Sequence, residues 1–373
     1  MSELQSNSEH AMGTKDEIIE LAKSLISFRS TADNLFELTR IVDFVEDYFR
    51  NSNVVIERHV INKKPAIVIL FSKTRKPDLF LNAHLDIVPA PEHYFQPKIK
   101  DGKLYGRGAI DDKLPAAAIM HLMKALAHQK KRPSIGLMLT TDEEIGGENG
   151  VKKLLETYSC SFAIIPDGGN MELIMKMKGI LQVKIIARGK GAHGSQPWLG
   201  ENAIEKLMDD YAAIKKLFPE TTAKNRWLTT LNPSVIKAGD AINRIPDKAE
   251  LYIDIRHPET ETKEAILKKL KSVKGIEIEV LTTANYMIAD KTNPHVKRFK
   301  QAADKVLKKD VKFGEEYGAS DARFFTEKGI PAIVFRLSGE HEHAENEYAD
   351  LSSIEPFYAV LKEFIETNIR KIG

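Results

Sequence analysis

The chain has 373 residues, 42% of them hydrophobic and 29% charged, with a formal net charge of +2. That length exceeds one ordinary compact core and points to two domains, while the near-neutral balance, with no Lys/Arg stripe interleaved with aromatics, argues against a nucleic-acid partner. A single cysteine, Cys160, excludes an intrachain disulfide and reads as a half-buried structural residue, so any metal site must use His, Asp and Glu.

Residues 1–13 are polar, lack the apolar core of a signal peptide, and read as a disordered leader. No apolar run approaches the roughly 18 residues that a membrane span needs, and a cytoplasmic enzyme with no membrane partner is the expectation. Ile18, Ile19, Leu21, Ala22, Leu25 and Ile26 form a helical stripe, and Leu35, Leu38, Ile41, Val42, Val45 and Phe49 form a second. Residues 66–71 are a continuous apolar run, as expected of a strand buried on both faces. Residues 78–83 are another strand, ending at His84. A helix is expected over 115–128, a strand over 135–139 just before Asp142-Glu143-Glu144, and a strand over 162–165 that leads to Asp167. Strands alternating with helices imply an α/β fold, a mostly parallel sheet with helices on both faces. Ligands gather at the carboxyl ends of the strands in such sheets.

Near Lys176 the pattern changes. Residues 180–187 alternate like an antiparallel strand, a helix follows over 202–217, and strands lie near Val235 and over 249–256. A helix over 261–273 and a strand over 276–281 complete a β-α-β-β-α-β run of ferredoxin-like type. It reads as an inserted α+β domain over 177–288, within a discontinuous catalytic domain of residues 14–176 and 289–373. The α/β pattern then resumes with a helix over 296–307, a strand over 332–336 and a final helix from about Ser352.

Four short stretches carry chemistry. In His84-Leu85-Asp86, residues two apart in an extended segment share a side, so both could bind metal, or Asp86 could accept the second ring N–H of a metal-bound His84. Asp111-Asp112-Lys113 follows the glycine pair of Gly106-Arg107-Gly108 and precedes a helix, where acids serve as caps or, between two cations, as a bridge. Glu143-Glu144 can share one site only if the chain turns, one binding metal while the other acts as a base. His341 to Glu347 is rich in ligand types but is not HExxH. Such His and carboxylate donors suit zinc, and also cobalt or manganese. Gly189-Lys190-Gly191-Ala192-His193-Gly194 fits GxGxxG, yet Ser195-Gln196-Pro197-Trp198 follows where a dinucleotide fingerprint needs a helix. His193 reads instead as an exposed polar group facing a ligand. No GxSxG elbow or GxxxxGK[ST] loop occurs.

Taken in order, these motifs resemble metallopeptidase family 20, which includes acetylornithine deacetylase, succinyl-diaminopimelate desuccinylase, glutamate carboxypeptidase, aminoacylase and carnosinase. The resemblance runs from about Ile18 to the C-terminal helix. It implies a zinc-exopeptidase-like catalytic domain holding two divalent ions, and an insert that serves as lid and homodimerisation domain. It also implies metal ligands His84, Asp111, Glu144, Asp167 and His343, the last in a His-x-x-x-Glu pattern with Glu347. Asp111 would bridge the ions through a segment with a cis Asp111–Asp112 peptide, Asp86 would support His84, and Glu143 would be the general base. His193 would steady the oxyanion, and Asn243, Arg256, Gly318 and Ser320 would contact substrate. Ala319 stands where relatives often carry threonine, and Leu114 where they carry glycine. The implied reaction is hydrolysis of small N-acyl amino acids. The alternatives are a dipeptidase or carboxypeptidase using the same site, a non-catalytic binding protein and a two-metal phosphoesterase.

Overall fold

The computed structural model describes residues 13–372, so the leader expected over 1–13 lies almost wholly outside the described residues. Two compact units emerge. One comprises the chain up to Met175, Ala289–Gly314 and the chain from Phe324; the other comprises Lys176–Ile288 and Glu315–Arg323. The sequence expectation put the whole of 289–373 in the catalytic domain. Residues 315–323 instead join the insert, where the Lys178 N–H donates to the Glu316 carbonyl and the Ser320 hydroxyl reaches Met177 Sδ.

The first unit begins with helices α1 (Thr14–Ile26) and α2 (Leu35–Phe49), the second capped by the Asn34 side chain, which accepts from Glu37 N–H. Strands β1 (Val55–Ile61) and β2 (Lys64–Leu70) form a hairpin whose turn residues, Asn62 and Lys63, both have positive φ, the geometry that matches strand twist. Next come β3 (Leu79–His84), α3 (Leu114–Ala127), β4 (Ile135–Thr140), β5 (Phe162–Ile165) and β6 (Leu173–Met177). The insert then supplies β7 (Gly179–Arg188), α4 (Ala203–Lys215), β8 (Thr230–Ala238), β9 (Lys248–His257), α5 (Lys263–Lys271) and β10 (Glu277–Ala284). The chain closes with α6 (Pro294–Leu307), β11 (Ala332–Val334) and α7 (Ile354–Asn368). Helix α6 starts two residues before the apolar stripe because Asn293 caps it and Pro294 suits its first turn.

The order of the first sheet is β1-β2-β4-β3-β5-β11-β6. Its centre, β4-β3-β5-β11, is parallel, as the alternation of elements requires, whereas β1-β2, β2-β4 and β11-β6 pair antiparallel. Alternate residues of the strands, such as Leu79, Leu81 and Ala83 of β3, share one core with α1, α2, α3, α6 and α7. Phe80, of opposite parity, meets Tyr158 edge-on at 6.2 Å. Phe364 of α7 is fully buried, with its ring 5.2 Å from Phe299 and 5.8 Å from Phe162. Phe364→Ala is expected to destabilise the fold by about 3–5 kcal/mol, the usual cost of such a cavity, read as a lowered urea midpoint. A loss below 1 kcal/mol would mean that the packing around it is looser than described.

The second unit forms a four-stranded sheet ordered β8-β9-β7-β10, with every neighbouring pair antiparallel. Leu181, Val183 and Ile185 of β7 and Leu251, Ile253 and Ile255 of β9 pack on Leu207 and Ile214 of α4 and on Ile266 and Leu270 of α5. That is the ferredoxin-like arrangement.

Candidate metal centre

The centre lies in the first unit, at the carboxyl ends of parallel strands. β3 ends on His84, which is buried. Its Nδ1 lies 3.0 Å from the Asp86 carbonyl oxygen and 3.5 Å from that residue's carboxylate. With Nδ1–H donating to Asp86, Nε2 faces Asp111 Oδ1 at 3.0 Å. The Asp86 carboxylate has a second task, accepting from the backbone N–H groups of Glu143 at 3.2 Å and Glu144 at 3.0 Å. One buried acid therefore orients the imidazole and fixes the turn that brings both glutamates into the site. That turn follows β4 and closes at Gly146, whose φ of 103° suits glycine.

Asp111 sits between the two histidines. Its Oδ1 faces His84, and its Oδ2 lies 3.0 Å from His343 Nε2, which is also 3.0 Å from Glu144 Oε2. The Asp111–Asp112 peptide is cis. Donor atoms of His84, Asp111 and Glu144 fall within 4.8 Å of one another, and so do those of His84, Glu143 and Asp167. The sequence-expected ligands and the expected base thus converge. His343, half exposed, forms the open side.

Burial opposes charge on His84, yet Asp111 and Asp86 hold its imidazole well above the ordinary histidine value. Asp111 and Glu144 hold His343 up at about 10. Burial, together with Glu143 and Asp111, pushes the Asp167 carboxyl well above the usual carboxylate range. Burial likewise raises Glu144. A site that retains protons in this way is short of positive charge. Its oxygen and imidazole donors, with no thiolate, fit divalent cations, which would satisfy the oxygens that otherwise hold protons on the imidazoles.

Glu347, which shares a His-x-x-x-Glu pattern with His343, lies outside this group of donors. Its carboxylate accepts from Arg107 Nη1 at 2.6 Å and from the backbone N–H groups of Gly108, Ile110 and Asp111 at 3.1–3.3 Å. Both side chains are buried. Glu347 therefore ties the loop of His343 to the loop of Asp111. Glu347→Gln would set an amide N–H against donors and break a buried ion pair, at an expected cost of about 3–5 kcal/mol. Chemical denaturation checks this, and an unchanged midpoint would contradict it. His341 is exposed and takes no part in the cluster.

Two buried cations received no role from the motifs, although Lys113 lies within one of them. Lys113 Nζ donates to the Phe28 carbonyl at 2.8 Å, and burial lowers it to about 7. Arg336, at the end of β11, pairs with Glu342 while its Nε and Nη1 find no hydrogen-bond partner among the described residues. The one available signal for Arg336 was a charge closing an apolar strand on the ligand side of a parallel sheet. Cys160 is half-buried and burial raises its thiol to about 12, which keeps it protonated and inert.

The remaining expected residues belong to the second unit. His193 is exposed, with Nδ1 2.7 Å from Ser195 Oγ. Asn243 is also exposed, and its carbonyl accepts from Gly194 N–H at 2.7 Å, which sets the two side by side. Arg256 Nε donates to Asp254 at 2.9 Å. Gly318 is exposed, whereas Ser320 is buried.

An α/β catalytic unit with imidazole and carboxylate donors converging at its strand ends defines a metal-dependent hydrolase. The model of peptidase family M20/M25/M40 matches residues 80–367, and the chain belongs to that family, whose members hydrolyse peptide and amide bonds. An uncharacterized metallohydrolase of Methanocaldococcus jannaschii is 28% identical, covering 87% of this chain and 91% of the relative. A succinyl-diaminopimelate desuccinylase of Rickettsia bellii is 24% identical over 94% and 96% of the two chains. Among solved structures, the aminopeptidase PepT of Bacillus cereus superposes with a TM-score of 0.78 at 20% identity, covering 95% of this chain and 99% of that one. No helix among the described residues is long and apolar enough to cross a membrane.

Proposed function

We propose that this chain is a two-metal amidohydrolase that cleaves small N-acyl amino acids to a carboxylate and a free amine. The observation that carries the reading is Asp111, whose two oxygens each lie 3.0 Å from a different imidazole, beside the Glu143-Glu144 turn. Two divalent ions, held by His84, Asp111, Glu144, Asp167 and His343, would supply Lewis acidity and a water of lowered pKa. Zinc is our assignment, and cobalt or manganese would suit the same donors. Glu143 takes the proton of the attacking water and returns it to the leaving nitrogen, so its carboxylate is ionised before attack and neutral after it. Asp86 fixes the His84 tautomer that leaves Nε2 as donor. His193 is assigned as an oxyanion donor. Arg256, a planar fork, is assigned to a substrate carboxylate, with Asn243, Gly318 and Ser320 as further contacts.

The desuccinylase relative supports the acyl class, and short peptides are the competing substrates. A homodimer through the inserted unit belongs to the same proposal and is checked by mass in solution. The test is turnover on N-acetyl, N-succinyl and N-formyl amino acids and on dipeptides, with zinc, cobalt or manganese added. Metal-dependent amine release from the acyl substrates is expected. Turnover of dipeptides alone would replace the reading with a peptidase, and no turnover with metal bound would overturn it.

A further inference from the structure

Arg336 stands in a row with two residues of the metal centre. Strand β3 pairs parallel with β5 in the register Phe80↔Ala163 and Leu81↔Ile164, and β11 pairs parallel with β5 in the register Ala332↔Ala163 and Val334↔Ile165. Carried to the strand ends, these registers set His84, Asp167 and Arg336 level with one another on three adjacent strands. Leu81 and Ala83, Phe162 and Ile164, and Ile333 and Phe335 face the helical core, so His84, Asp167 and Arg336 all leave the opposite face. Neighbouring strands lie about 4.8 Å apart, which puts the Arg336 backbone one strand from Asp167 and two from His84. The chain is pinned at this point. Phe335 N–H donates to the Ile165 carbonyl at 3.0 Å, and the Arg336 carbonyl accepts from Met171 N–H at 2.8 Å.

Two members of the row are ligand types and the third is a cation. Arg336 is 2% exposed. Its Nη2 pairs with Glu342, whose side chain is 43% exposed, so the pair is screened and answers the guanidinium charge only in part. Its Nε and Nη1 are buried with no hydrogen-bond partner among the described residues. Burial opposes the charge, while Glu342, Asp111 and Asp167 uphold it. An arginine does not shed its proton in a protein, so the charge stays. On the buried side its field therefore falls on Asp111 and Asp167, the carboxylates that an ion beside His84 needs. The guanidinium competes for those oxygens and repels the ion as well. The other side of the centre is farther along the sheet: Glu144 follows β4, beyond β3 from β5 and β11, and His343 meets Glu144 at 3.0 Å.

We propose that Arg336 is a built-in cation that makes the two metal sites unequal, weakening the ion held by His84 and Asp167 relative to the one held by Glu144 and His343. It acts through Asp111 and Asp167, as a positioning residue, and the role rests on the two-metal reading of the centre. Chelator-treated protein is titrated with zinc by calorimetry, as wild type, Arg336→Met, Arg336→Lys and Glu342→Gln. The wild type is expected to take two ions in two unequal steps. Arg336→Met should tighten the weaker step by about 10–100-fold, the span by which groups beside metal ligands shift affinity, and leave the tighter step nearly unchanged. A wild type that retains one ion while Arg336→Met takes two is the same result at its extreme. Arg336→Lys keeps the charge and should restore the inequality, whereas a merely structural role would lower stability without moving the ratio of the steps. Glu342→Gln removes the partial counter-charge and should loosen the weaker step further. Glu342 is exposed, so this variant decides the matter if Arg336→Met fails to fold. Two equal sites in the wild type, or a weaker step that neither variant shifts, would overturn the proposal alone. A wild type that binds no zinc would overturn the two-metal reading and the proposal with it.

Discussion

Glu143→Gln is expected to lower kcat by about 10²–10⁴-fold, the usual contribution of a positioned general base, while metal content stays at the wild-type level. Glutamine keeps the size of the side chain and its backbone N–H, which the Asp86 carboxylate holds at 3.2 Å. What it loses is the capacity to take and return a proton. The turn should persist, because its anchor is Asp86 and not the Glu143 side chain. Steady-state turnover beside elemental analysis of the purified variant decides the matter. A kcat within threefold of wild type would remove Glu143 from the base role. Loss of metal together with activity would make it a ligand instead, a reading that its grouping with His84 and Asp167 also permits.

Asp111→Asn is expected to be the most damaging substitution for metal binding. Asp111 offers one oxygen toward His84 and the other toward His343. Asparagine keeps one carbonyl oxygen and places an amide donor where the other oxygen lay. Loss of an outer partner costs about 10–100-fold in affinity, so loss of a shared ligand should reach at least the top of that range. Zinc titration of chelator-treated protein measures it directly. A second reading comes from stability: ligand at about 1,000 times Kd stabilises the native state by about 4 kcal/mol. The wild-type protein should therefore melt at a higher temperature with zinc, and Asp111→Asn should not. An equal rise in the variant would show that Asp111 does not hold the ions.

Much of the fold was legible because its signals are local. The apolar run at 66–71 became β2, and the stripe from Leu35 to Phe49 became α2, buried from Leu38 onward with Leu35 left exposed at its first turn. The alternation over 180–187 became β7, one of the two central strands of a ferredoxin-like sheet. Strand β1 passed unnoticed because it is a half-exposed margin with charged residues at Glu57 and Arg58, so its apolar alternation is weak. The allocation of residues 315–323 also escaped, since nothing in their composition marks a return to the insert.

At the centre, the sequence by itself determined which side chains were available and near which strand ends they would lie. His84, Asp111, Glu143, Glu144, Asp167 and His343 are short motifs beside recognisable elements, and strand direction in a parallel sheet carries them to one edge. Only the tertiary structure decided what their neighbours do. Glu347 became a clamp because its carboxylate meets Arg107, 240 positions away, and three backbone N–H groups of the Asp111 loop. Asp86 gained its second task from backbone donors 57 and 58 residues downstream. Arg336, which carries no motif, stands level with His84 and Asp167 because β3, β5 and β11 pair in that register. Periodicity and spacing report on interactions within a few residues, whereas hydrogen bonds and charge depend on distances that close only when separate segments pack.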